Sequence, residues 1–337
     1  MRKLESALLL VALAFYVWLL RRLGPSQIYS YVTLAGWGVV LTIGVEGISR
    51  IFNTLGWRVT IEKKSPAPAF GRLFTARLAG EAIDYLTPSA QLGGQFVMAL
   101  LVRRFLPIAK GLATVIVAAL TEAVGQIGFI VIALLLSARE FAAVKALYWP
   151  AIGGLALSFA LAGAFFWVLR KRPLTHLWKF AAKINVPGAA TKEIQEASAE
   201  ADAILRRFYD EHKILVMLSC FWYLLAWAMG PVEIYILMVF LNQPVSIPIV
   251  LLIEALGLLI ERATFMIPAK LVSQEGGKAL IMGLLGYPAG VGFAIGLLRR
   301  IKEMAWVLFG LGCLAAYRLR ESSETPSPSA VESSAVR

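Results

Sequence analysis

The sequence is poor in charge, in cysteine and in histidine. Charged residues make up 16% of the 337 residues, whereas soluble domains carry about 25%, so a large soluble domain is excluded. The two cysteines, Cys220 and Cys313, lie in apolar stretches, which predicts buried small side chains without a disulfide. The two histidines, His176 and His212, have no Cys/His cluster around them, and we predict no zinc site or other cofactor.

Apolar residues dominate instead: 59% of the chain is hydrophobic and the mean hydropathy is +0.72. A membrane-spanning helix needs about 20 apolar residues. Six stretches meet this need approximately: 4–20, 28–49, 111–137, 148–169, 214–241 and 301–317. The first is followed by Arg21 and Arg22 rather than by small residues, which predicts an uncleaved span. We therefore predict an all-α, polytopic integral membrane protein in which residues 1–320 form one transmembrane domain.

Basic residues are concentrated between the apolar stretches and give the chain a net charge of +12. In a membrane protein this pattern favours cytoplasmic loops that face anionic lipids rather than nucleic acid. Segment 170–213 is the most basic, so we place it, and by counting spans both termini, in the cytoplasm. It contains an amphipathic pattern at Ile194, Ala197, Ala201, Ile204, Leu205 and Phe208, which predicts a helix at the membrane surface. The Ser/Pro-rich tail, 321–337, predicts disorder.

Two regions, about 70–107 and 248–288, are apolar in pieces but are interrupted by proline and paired glycines. The first contains GEAIDYLTPSAQLGGQF and the second ERATFMIPAKLVSQEGGKA. In each, a glutamate lies seven residues before a proline, a Gly-Gly pair follows, and a second proline lies fifteen residues before another glutamate. The matching residues are Glu81, Pro88, Gly93-Gly94, Pro107 and Glu122 in the first, and Glu261, Pro268, Gly276-Gly277, Pro288 and Glu303 in the second.

These landmarks predict a duplicated unit, with repeat 1 at about 28–137 and repeat 2 at about 214–318. The single helix 148–169 between the copies turns the second copy upside down relative to the first. We expect each broken region to be a re-entrant helical hairpin, with Pro88 and Pro268 as the structural breaks. Inverted repeats with paired broken helices are typical of transporters, whose site lies near the membrane midplane.

The segments RLAGEAIDYLTPSAQLGGQ and IPAKLVSQEGGKALIMGLLG resemble the flippase-like membrane family that includes the membrane region of lysylphosphatidylglycerol synthase. The resemblance covers about residues 5–318. It implies a stand-alone translocator of a polar or charged lipid in the bacterial cytoplasmic (inner) membrane, of a kind associated with hopanoid or polyprenyl lipids. The soluble aminoacyl-transferring domain of the full synthase is missing after Arg320, so we expect no lysyl-lipid synthesis.

Ionisable side chains inside a membrane are costly and are candidates for function. The candidate substrate-binding residues are Arg77, Glu81, Asp84, Gln91, Gly93, Gly94, Gln95 and Glu122 in the first half, and Glu261, Arg262, Lys270, Gln274, Glu275, Gly276, Gly277 and Lys278 in the second. Arg77, Glu81 and Asp84 share a helix face, and they either meet a lipid headgroup or form an ion pair that locks the hairpin.

Other polar residues also allow two interpretations. The Gly-Gly pairs either present backbone N–H groups to a lipid phosphate or allow close helix packing. Arg299-Arg300 is expected at a membrane interface, where the pair either contacts lipid phosphates or only helps to set the topology. Contact with water is one interpretation of Glu46, near the end of its span. Glu254 either lines the path or hydrogen-bonds to a neighbouring helix.

The sequence favours a lipid flippase that hosts the headgroup in a cavity where the two hairpins meet. One alternative is a membrane-embedded headgroup transferase that uses Glu81 and Asp84 as acid and base. Another is a non-catalytic partner that recruits lipid-pathway enzymes through segment 170–213. The sequence contains no nucleophile motif, so an enzyme is not the favoured reading.

Overall fold

The computed structural model describes residues 25–61, 68–86, 92–170, 175, 192–263 and 273–324, and every element within these ranges is helical. The first helices are α1 (Pro25–Ala35), α2 (Trp37–Val59), α3 (Phe70–Leu86), α4 (Leu92–Leu101), α5 (Ile108–Leu136) and α6 (Ala138–Ala143). After a 3-10 turn at Lys145–Leu147 come α7 (Tyr148–Arg170), α8 (Lys192–Glu211), α9 (Lys213–Trp227), α10 (Met229–Phe240), α11 (Ile247–Ala263), α12 (Ser273–Leu284) and α13 (Ala289–Glu324). The all-α prediction is confirmed for these residues.

Among the described residues, four helical segments are long and apolar enough to cross a membrane: Trp37–Val59, Ile108–Leu136, Lys145–Ala164 and Lys213–Phe240. The last three coincide with the spans predicted at 111–137, 148–169 and 214–241. The helix predicted at 28–49 is displaced, because Gly36 has a φ of 39° and separates α1 from α2.

The remaining two predicted spans have different outcomes. Residues 4–20 lie outside the described residues. The stretch 301–317 lies within α13, which is not one of the four segments. Helix α13 continues to Glu324, so the first four residues of the tail predicted to be disordered are helical.

The two broken regions each contain a pair of helices. Helix α3 has 17 residues and α4 has 10, whereas α11 has 17 and α12 has 12. At 1.5 Å per residue, α4 and α12 are about 15 and 18 Å long, too short for a hydrocarbon core of about 30 Å. The segments that join each pair, 87–91 and 264–272, contain Pro88 and Pro268 and are not among the described residues.

The first hairpin, α3 and α4, is antiparallel. At its open end the Arg72 guanidinium lies 4.7 Å from the centre of the Phe105 ring. Near its closed end the Gly94 N–H donates to Asp84 Oδ1 at 2.7 Å. This open end packs beside the end of α2, where Leu73 and Leu106 belong to the same buried apolar cluster as Trp57.

The second hairpin is formed by α11 and α12. Tyr287, just after α12, donates to the Pro244 carbonyl just before α11 at 3.0 Å. Val250 of α11 belongs to the same apolar core as Ala133, near the end of α5. At the other end of α5, the Trp57 indole N–H donates to the Thr114 hydroxyl, and Thr114 lies nineteen residues, about 28 Å along the helix, from Ala133.

Helix α13 lies between the two hairpins and contacts both. In its first half, Gly292 and Gly296 lie so close to α12 that a Cβ atom on either would overlap the backbone of Lys278 or Glu275. In its second half, Gly310 lies equally close to the carbonyl of Leu78 on α3. Small residues at helix interfaces allow this close approach of backbones, so α13 sets the relative position of the hairpins.

Glycines at matching positions also bring the arms of each hairpin together. A Cβ on Gly94 would overlap Gly80, and a Cβ on Gly277 would press on Ile260. Gly80 and Ile260 each directly precede the landmark glutamate of their own half. The same sequence landmarks therefore occupy equivalent places in the two hairpins.

Helix α8 has the predicted apolar stripe. Ala201, Leu205 and Phe208 are buried against the first half of α5, so this helix docks on the bundle through the face that the sequence indicated. The side chains of Ile194 and Ala197 are outside the described part of the chain.

Candidate functional site

Arg77 on α3 is the centre of the charged group in the first half. Its guanidinium binds Glu81 Oε1 at 2.7 Å, one turn along the helix, and Glu122 Oε2 on α5 at 3.0 Å. It also donates to the Tyr223 hydroxyl at 3.0 Å. Tyr223 reaches this position because Gly56 on α2 and Gly125 on α5 leave room for its ring. The predicted ion pair of Arg77 and Glu81 is thus present and extends to two further helices.

Arg50 on α2 extends the charged group towards the second half. It forms an ion pair with Glu81 and a second one with Glu46 at 3.1 Å. Its guanidinium also lies 5.1 Å from the centre of the Trp306 ring on α13. The side chain of Glu46 is 21% exposed, and it binds Arg50 on its own helix and Lys302 on α13.

Lys302 on α13 joins the two halves. Its ammonium lies 2.8 Å from Glu46 Oε2 on α2 and 2.6 Å from Glu233 Oε2 on α10. The side chains of Lys302 and Glu233 are only 2% and 1% exposed. A buried ammonium of this kind requires paired carboxylates, because an isolated charge in an apolar interior is strongly disfavoured.

Arg299 continues the network one turn before Lys302. It holds both carboxylate oxygens of Glu254 on α11, at 2.5 and 3.0 Å, and lies 3.4 Å from Glu233. Nearby, Lys278 of α12 lies 3.9 Å from Glu261. The prediction that Arg299 sits at a membrane interface is wrong, because its partners are buried carboxylates on other helices.

These contacts form one continuous network of alternating sign, which we call the charge ladder. Its members, in order, are Glu122, Arg77, Glu81, Arg50, Glu46, Lys302, Glu233, Arg299 and Glu254. The ladder draws on six helices, α2, α3, α5, α10, α11 and α13, and runs from one hairpin to the other. Fork-shaped arginine groups suit such a ladder because each can bind two carboxylates at once.

The closed ends of the hairpins meet beside the ladder, at Arg300. Its Nε donates to Glu275 Oε1 on α12 at 2.6 Å, and Tyr85 near the end of α3 is close enough for an electrostatic interaction. Gln274 donates to Glu303 at 2.9 Å. Like Arg299, Arg300 lies inside the bundle and not at the expected interface.

The glycine pairs pack helices together. Gly94 lies against Gly80, and its N–H is bonded to Asp84 rather than pointing at an open site. A carboxylate close to the first turn of a helix also interacts favourably with the positive end of the helix dipole. Asp84 therefore fixes the start of α4, and the geometry favours the packing interpretation of Gly94.

The other predicted residues are distributed along the two hairpins. Gly93 and Gln95 lie in the first turns of α4, and Gly276 lies beside Gly277 in α12. Arg262, at the end of α11, donates to Gln126 on α5. Gln91 and Lys270 lie outside the described residues.

Six members of the ladder were not among the candidate substrate-binding residues: Glu46, Arg50, Glu233, Glu254, Arg299 and Lys302. Glu233 is the one acidic residue in the apolar stretch 214–241, which is a usable signal. Arg299 and Lys302 are three residues apart and therefore share a helix face, which is a second signal. In the described part of the chain, no group of three or more His, Cys, Asp or Glu residues is arranged to hold a metal ion.

Comparison with protein families matches residues 6–312 to the lysylphosphatidylglycerol synthase transmembrane region. Neither the curated proteins nor the solved structures give a match. The family match, together with four helices of membrane-spanning length and composition, identifies an integral membrane protein with a lipid-related role. The chain belongs to the lysylphosphatidylglycerol synthase transmembrane-region family.

Proposed function

We propose that this protein moves a lipid with a polar or charged headgroup between the two leaflets of the membrane. The headgroup passes between the hairpins while the acyl chains stay in the bilayer. The observation that carries the proposal is the charge ladder, which joins both hairpins through the interior of the bundle.

The ladder favours a transport function because it is an expensive way to hold helices together. Each ionisable group in a membrane interior costs about 2.5–3.5 kcal/mol on insertion scales. Replacing buried ion pairs by well-packed apolar residues is often neutral or stabilising. Charges that line the route of a headgroup, in contrast, replace part of the hydration that the headgroup loses inside the bilayer.

The carboxylates of the ladder are more exposed in the first half of the chain than in the second. The side chains of Glu81 and Glu122 are 28% and 30% exposed, whereas those of Glu233 and Glu254 are almost fully buried. We propose that the headgroup first meets Glu81 and Glu122 and that the hairpins then separate to open the predicted cavity between them. The depression described by the structure, about 450 Å³ beside Tyr235 and Gln243, is not part of this route.

The membrane arrangement is part of the proposal. The hairpins are re-entrant and inverted, in the cytoplasmic membrane, with both termini in the cytoplasm and basic loops against anionic lipids. The opposite open ends of the two hairpins support the inversion, since one opens beside Trp57 and the other beside Ala133.

We propose transport without chemical change of the lipid. In the transferase alternative, Glu81 and Asp84 would act as acid and base. Glu81 is held by two arginines, and Asp84 accepts the N–H of Gly94. Both carboxylates are thus engaged in the packing of the hairpin, which favours the transporter.

The test uses purified protein in liposomes that contain a fluorescently labelled lipid in both leaflets. A membrane-impermeant quencher bleaches the outer leaflet at once and the inner leaflet only if lipid crosses. We expect Glu81→Gln and Glu275→Gln to slow bleaching of the inner leaflet at least about tenfold, because hydrogen bonds to charged groups contribute about 1.5–3 kcal/mol. Glu211→Gln, on the exposed face of α8, is the matched control.

Mass spectrometry of the recovered lipid separates transport from catalysis. An unchanged lipid mass is expected, and a converted headgroup would favour the transferase. Transport that is equally fast in the wild type and in both variants would contradict the assigned route.

A further inference from the structure

The start of α12 and the middle of α13 form a compact polar group. Gln274 Nε2 donates to Glu303 Oε1 at 2.9 Å, and Arg300 Nε donates to Glu275 Oε1 at 2.6 Å. Arg300 and Glu303 lie three residues apart on α13 and share a face. We call these four residues the acceptor corner, because the atoms in it that lack a hydrogen-bond partner are oxygens, which are acceptors.

Two oxygens of the acceptor corner are buried and have no hydrogen-bond donor among the residues that the structure describes. They are Oε1 of Gln274 and Oε2 of Glu275, and the two residues are 2% and 0% exposed. A buried acceptor without a donor is unfavourable, because it has lost the hydrogen bonds that water would give it. Such groups are rare in native proteins and indicate an ion, a water molecule or a ligand that completes them.

The charges around the corner restrict what this ligand can be. An anion such as a phosphate is repelled by the carboxylates of Glu275 and Glu303. A cation is repelled by the guanidinium of Arg300, which is already bound to Glu275. It is also repelled by the positive end of the α12 dipole. A hydroxyl group carries no net charge, donates one hydrogen bond and still accepts one, so it satisfies a lone oxygen without a charge penalty.

We propose that the acceptor corner binds hydroxyl groups of a lipid headgroup, so that the transported lipid carries a polyol or a sugar. That the ligand is a lipid rests on the proposed function. That it carries hydroxyl groups rests on the two oxygens without a donor. The side chain of Glu303 is partly exposed and leaves a way into the corner between α12 and α13.

The experiment measures binding and does not depend on transport. The full-length protein is placed in nanodiscs with equal amounts of monoglucosyldiacylglycerol, phosphatidylethanolamine and phosphatidic acid of the same acyl chains. Native mass spectrometry then counts the lipids that stay bound. We expect preferential retention of the glucosyl lipid and a loss of that preference of about tenfold in Gln274→Met, since one hydrogen bond is worth about 1 kcal/mol or more.

Two further variants control for folding and position. Glu275→Gln keeps the shape and the oxygen that faces Arg300, while its lone oxygen is replaced by an amide nitrogen, so the preference should fall there too. Gln243→Met changes a glutamine in the loop before α11 and should leave the preference unchanged.

The outcomes separate this inference from the proposed function. A preference for phosphatidylethanolamine or phosphatidic acid, or a glucosyl preference that survives Gln274→Met and Glu275→Gln, overturns the inference. Retention of the glucosyl lipid without any movement between leaflets supports the inference and contradicts the proposed function.

Discussion

Lys302 is a buried ammonium that carboxylates from both halves of the chain share. Glu46 comes from α2 and Glu233 from α10, and both lie within hydrogen-bond distance of the same nitrogen. Each carboxylate has a second cation, Arg50 for Glu46 and Arg299 for Glu233. Any movement of α13 relative to α2 or α10 must therefore break or exchange an ion pair at this position.

Removing this ammonium should destabilise the protein strongly. In Lys302→Met two carboxylates lose a partner in the interior, and breaking a buried ion pair of this kind costs about 3–5 kcal/mol. Thermal unfolding in detergent micelles should show a markedly lower midpoint. Arg207→Met, which removes an exposed ion pair on α8, should leave the midpoint almost unchanged.

A double variant tests whether the loss comes from unpaired charge. Lys302→Met combined with Glu233→Gln removes one of the two orphaned carboxylates, so part of the lost stability should return. If the double variant is as unstable as the sum of the two single variants, Lys302 and Glu233 are not energetically coupled and the ladder is not an interacting unit.

The ion pairs of the ladder show which contacts between single residues could be predicted from the sequence. Arg77 and Glu81 lie one turn apart, so their ion pair follows from helix geometry alone. The partners of Lys302 lie 256 and 69 residues away along the chain. No local pattern links such residues, and the long-range packing of α2, α10 and α13 decides the pairing. The interface assignment of Arg299 and Arg300 failed for the same reason.

At the level of elements, the division of each broken region into two helices was predictable because its signals are local. Pro88 lies in the sequence between α3 and α4, and Pro268 lies between α11 and α12. The paired glycines, in contrast, lie inside α4 and α12. The helix predicted at 28–49 shows the limit of prediction from local signals. Apolar composition continues through Gly36, and only the backbone conformation there separates α1 from α2.

The contact between α13 and the first hairpin should be sensitive to a single methyl group. A Cβ at Gly310 would overlap the backbone of Leu78, whereas a Cβ at Gly312, two residues further on, would meet nothing within 4 Å. Overpacking at a tight contact costs about 1–3 kcal/mol. Gly310→Ala should therefore lower the thermal midpoint in detergent, while Gly312→Ala should leave it unchanged or raise it slightly through better helix propensity.

The same pair of variants also reports on transport. If α13 holds the first hairpin in register with the second, Gly310→Ala should slow lipid movement in liposomes and Gly312→Ala should not. Equal midpoints and equal transport rates for the two variants would show that the close approach of α13 to α3 has no energetic importance.

At the scale of the whole molecule, the positions of the two hairpins can be described relative to the ends of α5. The first hairpin opens where α5 begins, near Trp57, and the second opens where α5 ends, near Ala133. Their closed ends meet at Arg300. The landmarks predicted two similar units, and the single helix between them predicted the inversion. The side chains that join the units were beyond prediction because they depend on how the units pack.

This arrangement predicts that the two hairpins are accessible from opposite sides of the membrane. The test uses a background without Cys220 and Cys313 and two single-cysteine variants. Arg103→Cys marks the open end of the first hairpin, and Ser246→Cys marks that of the second; both positions are exposed. In intact cells a membrane-impermeant thiol reagent should label Ser246→Cys only, and in inverted membrane vesicles it should label Arg103→Cys only.

The two ways in which this experiment can fail have different meanings. Labels exchanged between cells and inverted vesicles would keep the inverted arrangement and contradict the cytoplasmic placement of the termini. Labelling of both cysteines from one side would contradict the inversion itself, because the two open ends would then lie on the same face. The charge ladder would in that case connect two hairpins that enter from one leaflet, and a route for a headgroup from one leaflet to the other would lose its structural basis.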